Sequence, residues 1–548
     1  MKKIIAILLA AVLLLSLAAC GGKTPMTEER PAEAPEEEAT PDDGYVHITT
    51  AEEFCRISDD LGGKYILDAS IDSRDMEKDD TFRPIGSADA PFTGELNGNG
   101  YAISGMLEYT GQDEAWGLFA CNDGSIHDLT LRSFQCDGLS HRYYEFVDDD
   151  WGYSSDTSGL PVDSTQNYGV LCGINRGVIE DVVFDDGSVP DLNLLQNDNE
   201  TMNIGLVCGR NEGTIRGIEL KSMSLCFRTV DKDTAVSIGG VCGLLTGSGV
   251  MEDITVSGVS VILDCYPYLN TAPAVNAGGI IGEMESGAAL GRITQPDGRS
   301  IVSAFYSLAD AEMCMGGLVG LVRGDIELAE LETHTNVYMD LRDDAEGYEP
   351  SAATYACGGG LIGRAEGSVT VSDCTLREMS VTVCTREGGH PLYSAAGGIV
   401  GFCGGDLSVS AVTLPRGTNA EIDSEGRDTY FGGLCGYCAG SSSFSDTQAS
   451  IAMGSYFYDG YTLYQSNILG YAQGEAGFTN VKTDCGDNEL QAVAGDAESV
   501  FYLAALAGCA ENGFTAEGCE VDVHYNAYIG EATLHDGSEG EGLYNPLY

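Results

Sequence analysis

A nine-residue pattern recurs along this chain, and a chain that repeats itself at short period does not gather its apolar residues around one centre; it stacks them. The copies are WGLFACNDG, GVLCGINRG, GLVCGRNEG, GGVCGLLTG, GGIIGEMES, GGLVGLVRG, GGLIGRAEG, GGIVGFCGG and GGLCGYCAG. Their fifth residues are Ala120, Gly173, Gly209, Gly243, Gly282, Gly320, Gly363, Gly401 and Gly436, with a weaker copy at Gly470, and successive copies lie between 34 and 53 residues apart. Each is followed by alternating residues such as Ile126-His127-Asp128-Leu129-Thr130-Leu131 and Ile179-Glu180-Asp181-Val182-Val183-Phe184, the signature of a strand with one buried face. The expected architecture is all-β: a right-handed parallel β-helix, or β-solenoid, of about ten coils with a short N-terminal capping helix. At about 4.8 Å per coil it makes a rod on the order of 50 Å long, with the longer gaps emerging as loops.

Reading down the copies tests this. The fourth position holds Phe119, Cys172, Cys208, Cys242, Ile281, Val319, Ile362, Val400, Cys435 and Leu469, uniformly apolar if cysteine counts as a small hydrophobe, and is expected to point inward. The seventh position begins Asn122, Asn175, Asn211 and then turns to Leu245, Met284 and Val322. Stacked asparagines can satisfy their amides by bonding along the stack. The glycines suit tight bends or close backbone approach, and no GxGxxG or Walker spacing makes them a phosphate cradle.

The two ends read differently. Lys2 and Lys3 precede an uncharged run, residues 4–15, too short for a transmembrane helix, so residues 1–19 are expected to be an export signal. Leu17, Ala18, Ala19, Cys20 and Gly21 resemble the lipobox of bacterial lipoproteins, which implies lipidation of Cys20 as the mature N-terminus and only anchor. Residues 20–44 are acidic, Pro-rich and nearly devoid of large apolar side chains, an extended tether. Residues 45–110 are assigned to a cap and the first strands, 111–480 to the repeats and 481–548 to a C-terminal cap or tail. Within the first of these, Thr50 and Glu53 fit a capping box and predict a helix over residues 51–61 that covers the open end of the stack. Near the other end, residues 496–510 predict a second helix.

The pattern GGLVGxNxG followed by an Ile-containing strand resembles the GLUG motif of bacterial surface and secreted proteins, over about residues 116–475 and with a lead-in upstream that includes Pro84, Ile85, Gly86 and the run from Phe92 to Gly100. The resemblance implies a β-helical, cell-surface, adhesin-like module without a defined catalytic site.

The formal charge of −58 makes nucleic acid a poor partner, since its binding relies on Lys and Arg, and disfavours anionic lipid and polyanionic glycans. No cofactor is expected; calcium is compatible with so many carboxylates. Nineteen cysteines in an exported chain suggest disulfides, yet Cys172, Cys208, Cys242 and Cys435 share a column with Ile and Val and read as buried filler. Cys403 and Cys438 would stand close enough to bond. Cys435 and Cys438 form a CxxC with no second ligand pair, which is read as part of the repeat rather than as a zinc or redox site. The seven histidines have no recurring partner, and no GxSxG elbow is present.

The best candidate for recognition is the longest insertion, which carries Tyr143, Tyr144, Asp148, Asp150, Trp151 and Tyr153, aromatics able to stack on sugars beside carboxylates that accept hydroxyl hydrogens. Residues 456–461 are a second candidate. The acidic turn at Asp340, Asp343, Asp344 and Glu346 is a third, although solvated charge is the simpler meaning. These features favour a non-enzymatic, lipid-anchored surface module, extracytoplasmic and displaying loops toward a host or bacterial surface protein or glycan. The rivals are a polysaccharide lyase or hydrolase, disfavoured by 27 Lys and Arg against 85 acids, and a purely structural envelope scaffold.

Overall fold

The computed structural model describes residues 43–533 apart from 77–81, 109–113, 138–143, 148–149, 154–164, 195–200, 230–234, 266–273, 296–299, 307–311, 343–354, 378, 387–392, 425–427, 458–461, 486–489, 495–499 and 530–531. The expected export signal, Cys20 and most of the expected tether therefore lie outside the described residues. Tyr45–Tyr548 form a single unit.

This unit is a β-solenoid. Each coil begins with a lead strand such as Thr201–Gly205, bends through two residues, and continues into a motif strand such as Cys208–Asn211. A turn then delivers the chain to a third strand, here Thr214–Thr229. Lead strands stack into one sheet of eleven, from Ala115–Trp116 to Val500–Ala504, and motif strands into another of eleven, from Phe119–Asn122 to Ala507–Ala510. The third strands build a 26-stranded sheet, joined in the later coils by a six-stranded one. Among the described residues every pairing is parallel except the hairpin of Tyr144–Val147 with Asp150–Tyr153 and the terminal pair Tyr525–Ile529 with Ala532–Thr533.

In-register stacking puts like residues above like. Phe119, Cys172, Cys208, Cys242, Ile281, Val319, Ile362, Val400, Cys435 and Leu469 pair in that order, and every one is 0% exposed. The bend residues Leu171, Val207, Val241, Ile280 and Leu318 add a second buried column. A third comes from the alternating segment, where Ile126, Ile179, Ile215 and Met251 stack. Each such side chain contributes about 1.5–3 kcal/mol through burial, so the interior is stabilised coil by coil rather than at one centre.

One corner of the coil needs a left-handed residue. Asp128, Asp181, Gly217, Asp253, Glu330, Asp373, Ala411, Asp446, Asn480 and Gly518 all have φ between 48° and 67° there. Asp, Asn and Gly tolerate this region, whereas alanine pays a steric penalty of about 1–2 kcal/mol. Ala411 is exposed, so its methyl group packs on little. Ala411→Gly is therefore expected to raise stability by about 0.5–1 kcal/mol, the steric gain less the extra freedom of glycine in the unfolded chain. A higher urea midpoint checks it, and an unchanged or lower one refutes it.

At the N-terminal end the capping box is present: Glu53 N donates to Thr50 Oγ1 at 3.2 Å and Thr50 N to Glu53 Oε2 at 3.1 Å. The helix is shorter than expected, an α-helix over Ala51–Cys55 and a 3-10 turn over Arg56–Asp59, because the chain turns at Asp60, Gly62 and Gly63. Phe54 is fully buried edge-on against Phe119, the first member of the inward column, with ring centroids 6.3 Å apart. Ile85 and Phe92 bridge to Phe119 and Asn122, covering the open edge of the first motif strand.

Of the helix expected over residues 496–510, residues 496–499 lie outside the described residues and the remainder is not helical. Val500–Ala504 is a lead strand and Ala507–Ala510 a motif strand, and together they make an eleventh rung whose Ala507 stacks on Leu469. Here Ala504 and Ala505 stand where six of the copies have paired glycines, which hides the motif and raises helix propensity. Pairing to the exposed edge of the preceding coil overrides that propensity. The stack continues through Glu520–Asp522 and Tyr525–Ile529.

Candidate ligand-binding face

The glycine column brings two sheets together. A Cβ on Gly173, Gly209, Gly243, Gly282, Gly320 or Gly363 would lie 2.2–2.6 Å from a backbone nitrogen of the preceding lead strand, and one on Gly401, Gly436 or Gly470 within 2.5–2.7 Å of a carbonyl. Close approach, rather than unusual dihedrals, is what these glycines permit. As a result, residues that point away from the interior on the lead strands meet the sixth residues of the motifs. Cys314, Cys357 and Ala395 pack there with Leu321 in a cluster separate from the main core.

In the early coils this outer seam is polar. Asn203 Nδ2 donates to Asn167 Oδ1 at 2.9 Å, and Ser237 and Asn276 each donate to Glu283 Oε2 at 3.0 Å. In the later coils it becomes aromatic. Tyr430, Tyr464 and Tyr502 stand in register on successive lead strands, with ring centroids 5.5 Å and 4.7 Å apart and planes within 15°. Facing them, Phe402, Tyr437 and Tyr471 stack at 4.9 Å and 5.2 Å. The rows touch edge to face, Tyr430 to Tyr437 at 4.8 Å and Tyr464 to Tyr471 at 4.9 Å.

All six rings are partly exposed. Burial pushes the Tyr464 phenol up to about 12, and with it Tyr430 and Tyr471 are also raised by burial, so these groups remain neutral donors across the physiological range. Tyr437 Oη donates to Gln473 Oε1 at 3.4 Å and Tyr471 Oη to Glu511 Oε1. The hydroxyls of Tyr430, Tyr464 and Tyr502 have no hydrogen-bond partner among the described residues. The face thus offers a row of ring edges and one unengaged phenol hydroxyl per rung.

The residues singled out from sequence are distributed as follows. Tyr144, Asp150, Trp151 and Tyr153 lie on the antiparallel hairpin, where Tyr144 pairs with Tyr153 and Glu145 with Gly152; Tyr143 and Asp148 lie outside the described residues. Of the second candidate, residues 458–461 lie outside them as well. Asp340 is not solvated as expected: it is 4% exposed within the strand Thr335–Arg342 and accepts from Tyr338 Oη at 3.4 Å, while Asp343, Asp344 and Glu346 lie outside the described residues. Asn122, Asn175 and Asn211 form the expected ladder, Asn122 Nδ2 donating to Asn175 Oδ1 and Asn175 Nδ2 to Asn211 Oδ1, both at 2.8 Å. None of the described cysteines is disulfide-bonded. Cys403 and Cys438 stand in register, their thiols directed at the carbonyls of Gly405 and Gly440 at 3.4 Å. His47 and His127 sit beside Asp68 and Asp128, each at 2.8 Å. Among the described residues no group of three or more His, Cys, Asp or Glu is placed to hold a metal ion, and no helix is long and apolar enough to cross a membrane.

The aromatic seam escaped sequence reading because it belongs to the sixth motif position, which is mixed until Phe402, and to lead strands upstream of the motif. The signal was a tyrosine seven residues before a motif tyrosine, at Tyr430 with Tyr437 and at Tyr464 with Tyr471. No family model, curated protein or solved structure matches this chain.

Proposed function

We propose that the chain is a lipid-anchored, surface-displayed solenoid of the GLUG type that binds an extended glycan along its tyrosine row. Anchoring rests on Leu17, Ala18, Ala19 and Cys20, and display on the acidic segment that follows. The observation that carries the binding role is the column of Tyr430, Tyr464 and Tyr502, whose hydroxyls recur once per rung without a hydrogen-bond partner among the described residues. A repeating ligand matches a repeating surface, since the rung spacing of about 4.8 Å is close to the advance of one sugar ring in an extended polysaccharide. Phenol hydroxyls exchange hydrogen bonds with sugar hydroxyls, and the ring edges supply apolar contact at little entropic cost.

Binding to a glycan array, followed by titration of the ligands found, tests this. Tyr464→Ala sits at the centre of the row and is expected to weaken binding about tenfold, corresponding to about 1.4 kcal/mol. Tyr464→Phe keeps the ring and removes only the hydroxyl, so an effect of similar size identifies the hydroxyl as the contact. Equal affinity in all three proteins would remove the row from the binding surface.

A further inference from the structure

Two rungs before Tyr430 the seam holds a cation. Arg364, the sixth residue of its motif, pairs in register with Phe402 and Leu321. Its guanidinium lies 4.2 Å from the centroid of Phe402 and 4.5 Å from that of Tyr355, and Nη1 donates to Tyr393 Oη. Its Nε is buried with no hydrogen-bond partner. Glu312 accepts from Tyr355 Oη at 3.4 Å, but no carboxylate among the described residues comes within 4.0 Å of the guanidinium.

This is unusual for the molecule. Arg210 pairs with Glu212 at 2.8 Å, Arg176 with the same glutamate at 3.6 Å, and Arg323 with both Glu283 and Glu366 at 2.8 Å. In a chain carrying −58 formal charges, acids are plentiful, yet the seam surrounds this guanidinium with rings and thiols, Cys314 and Cys357 among them. Aromatic faces hold the cation and fix its plane without neutralising it. With Nη1 donating to Tyr393 and Nε out of reach of solvent, Nη2 is left without a hydrogen-bond partner among the described residues, and it is this end of the guanidinium that can meet a carboxylate.

We infer that Arg364, held between Tyr355 and Phe402, recognises a carboxylate on the ligand, so that the glycan bound along the tyrosine row carries isolated uronic acids on an otherwise neutral backbone. The assignment rests on the glycan-binding reading above. The surrounding acidity selects against a densely charged polymer, while one cation in the seam accommodates an acidic unit set about two rungs, roughly 10 Å, from Tyr430.

The full chain is applied to an array of matched oligosaccharides: neutral, bearing one uronic acid, and bearing one sulfate at the same place. The uronic member is expected to bind at least tenfold more tightly than its neutral partner. Arg364→Gln brings that ratio to about one, and Arg364→Lys, which retains charge but not the planar fork and guards against misfolding of the first variant, leaves it intermediate. Glycan binding without preference for the acid, or a preference that survives in Arg364→Gln, overturns the role of Arg364 and leaves the tyrosine row standing. Stronger selection of the sulfated member overturns the carboxylate assignment, and an array with no binding overturns both readings.

Discussion

Gly282→Ala is expected to destabilise the solenoid by about 3 kcal/mol, the upper part of the range for forcing one methyl group into a packed interior. The added Cβ would lie 2.3 Å from Ile238 N and 2.7 Å from Gly243 O and Ser237 C. All three are backbone atoms in neighbouring strands, so no rotamer change relieves the clash. The motif strand Ile281–Met284 must move away from the lead sheet, and doing so lifts Ile281 out of the inward column that it shares with Cys242 and Val319. Because each coil contacts chiefly its neighbours, the damage is local: hydrogen exchange should accelerate around Ile238, Ile281 and Val319 and much less near Phe54. Ala120 provides the control. It occupies the same column in the first coil, where the lead sheet ends at Ala115–Trp116 and no earlier lead strand crowds it. Ala120→Gly should therefore cost only about 1–1.5 kcal/mol, from the lost burial of one methyl group and the extra backbone freedom of glycine, about half the effect at Gly282. Urea unfolding of the two variants decides the matter; a Gly282→Ala protein within about 1 kcal/mol of the parent would refute the close-approach explanation.

The contrast between Ala120 and Gly282 shows why so much of the fold is legible in the sequence. Parallel in-register stacking turns a repeat into columns, and each column reports one environment: apolar at Ile281 and Val319, backbone contact at Gly282, hydrogen bonding at Asn175. What the columns do not report is an environment that changes along the stack. The sixth position runs from Ile174 through Arg210, Leu244 and Glu283 to Phe402 and Tyr437, so its outer seam resembles noise until the partner strand is placed opposite. The last coil fails for another reason. Its glycine pair is replaced by Ala504 and Ala505, and only Gly508, whose Cβ would meet Gly470 O at 2.5 Å, preserves the constraint. Recognition residues on insertions such as that of Trp151 lie beyond this logic, since a loop has no equivalent above or below it.

Asn175→Ala is expected to cost about 3 kcal/mol, because it breaks a ladder at its centre and orphans groups on both sides. Asn175 accepts from Asn122 Nδ2 and donates to Asn211 Oδ1 at 2.8 Å and to Thr214 O at 3.3 Å, and all three asparagines are fully buried. Truncation leaves the Asn211 amide oxygen and the Thr214 carbonyl short of a donor and adds a cavity that a shrunken side chain cannot fill. The same column carries Leu245, Met284 and Val322 in the next three coils, each buried, so the corner itself does not require an amide. It follows that replacing Asn122, Asn175 and Asn211 together by leucine should destabilise less than the sum of the three single leucine substitutions, since the triple variant leaves no amide without its partner. Urea unfolding of the singles and the triple measures the difference. Strict additivity would mean that the amides act independently and that the ladder is a coincidence of register; a shortfall of 2 kcal/mol or more, on the order of two broken buried hydrogen bonds, is the signature of a cooperative stack.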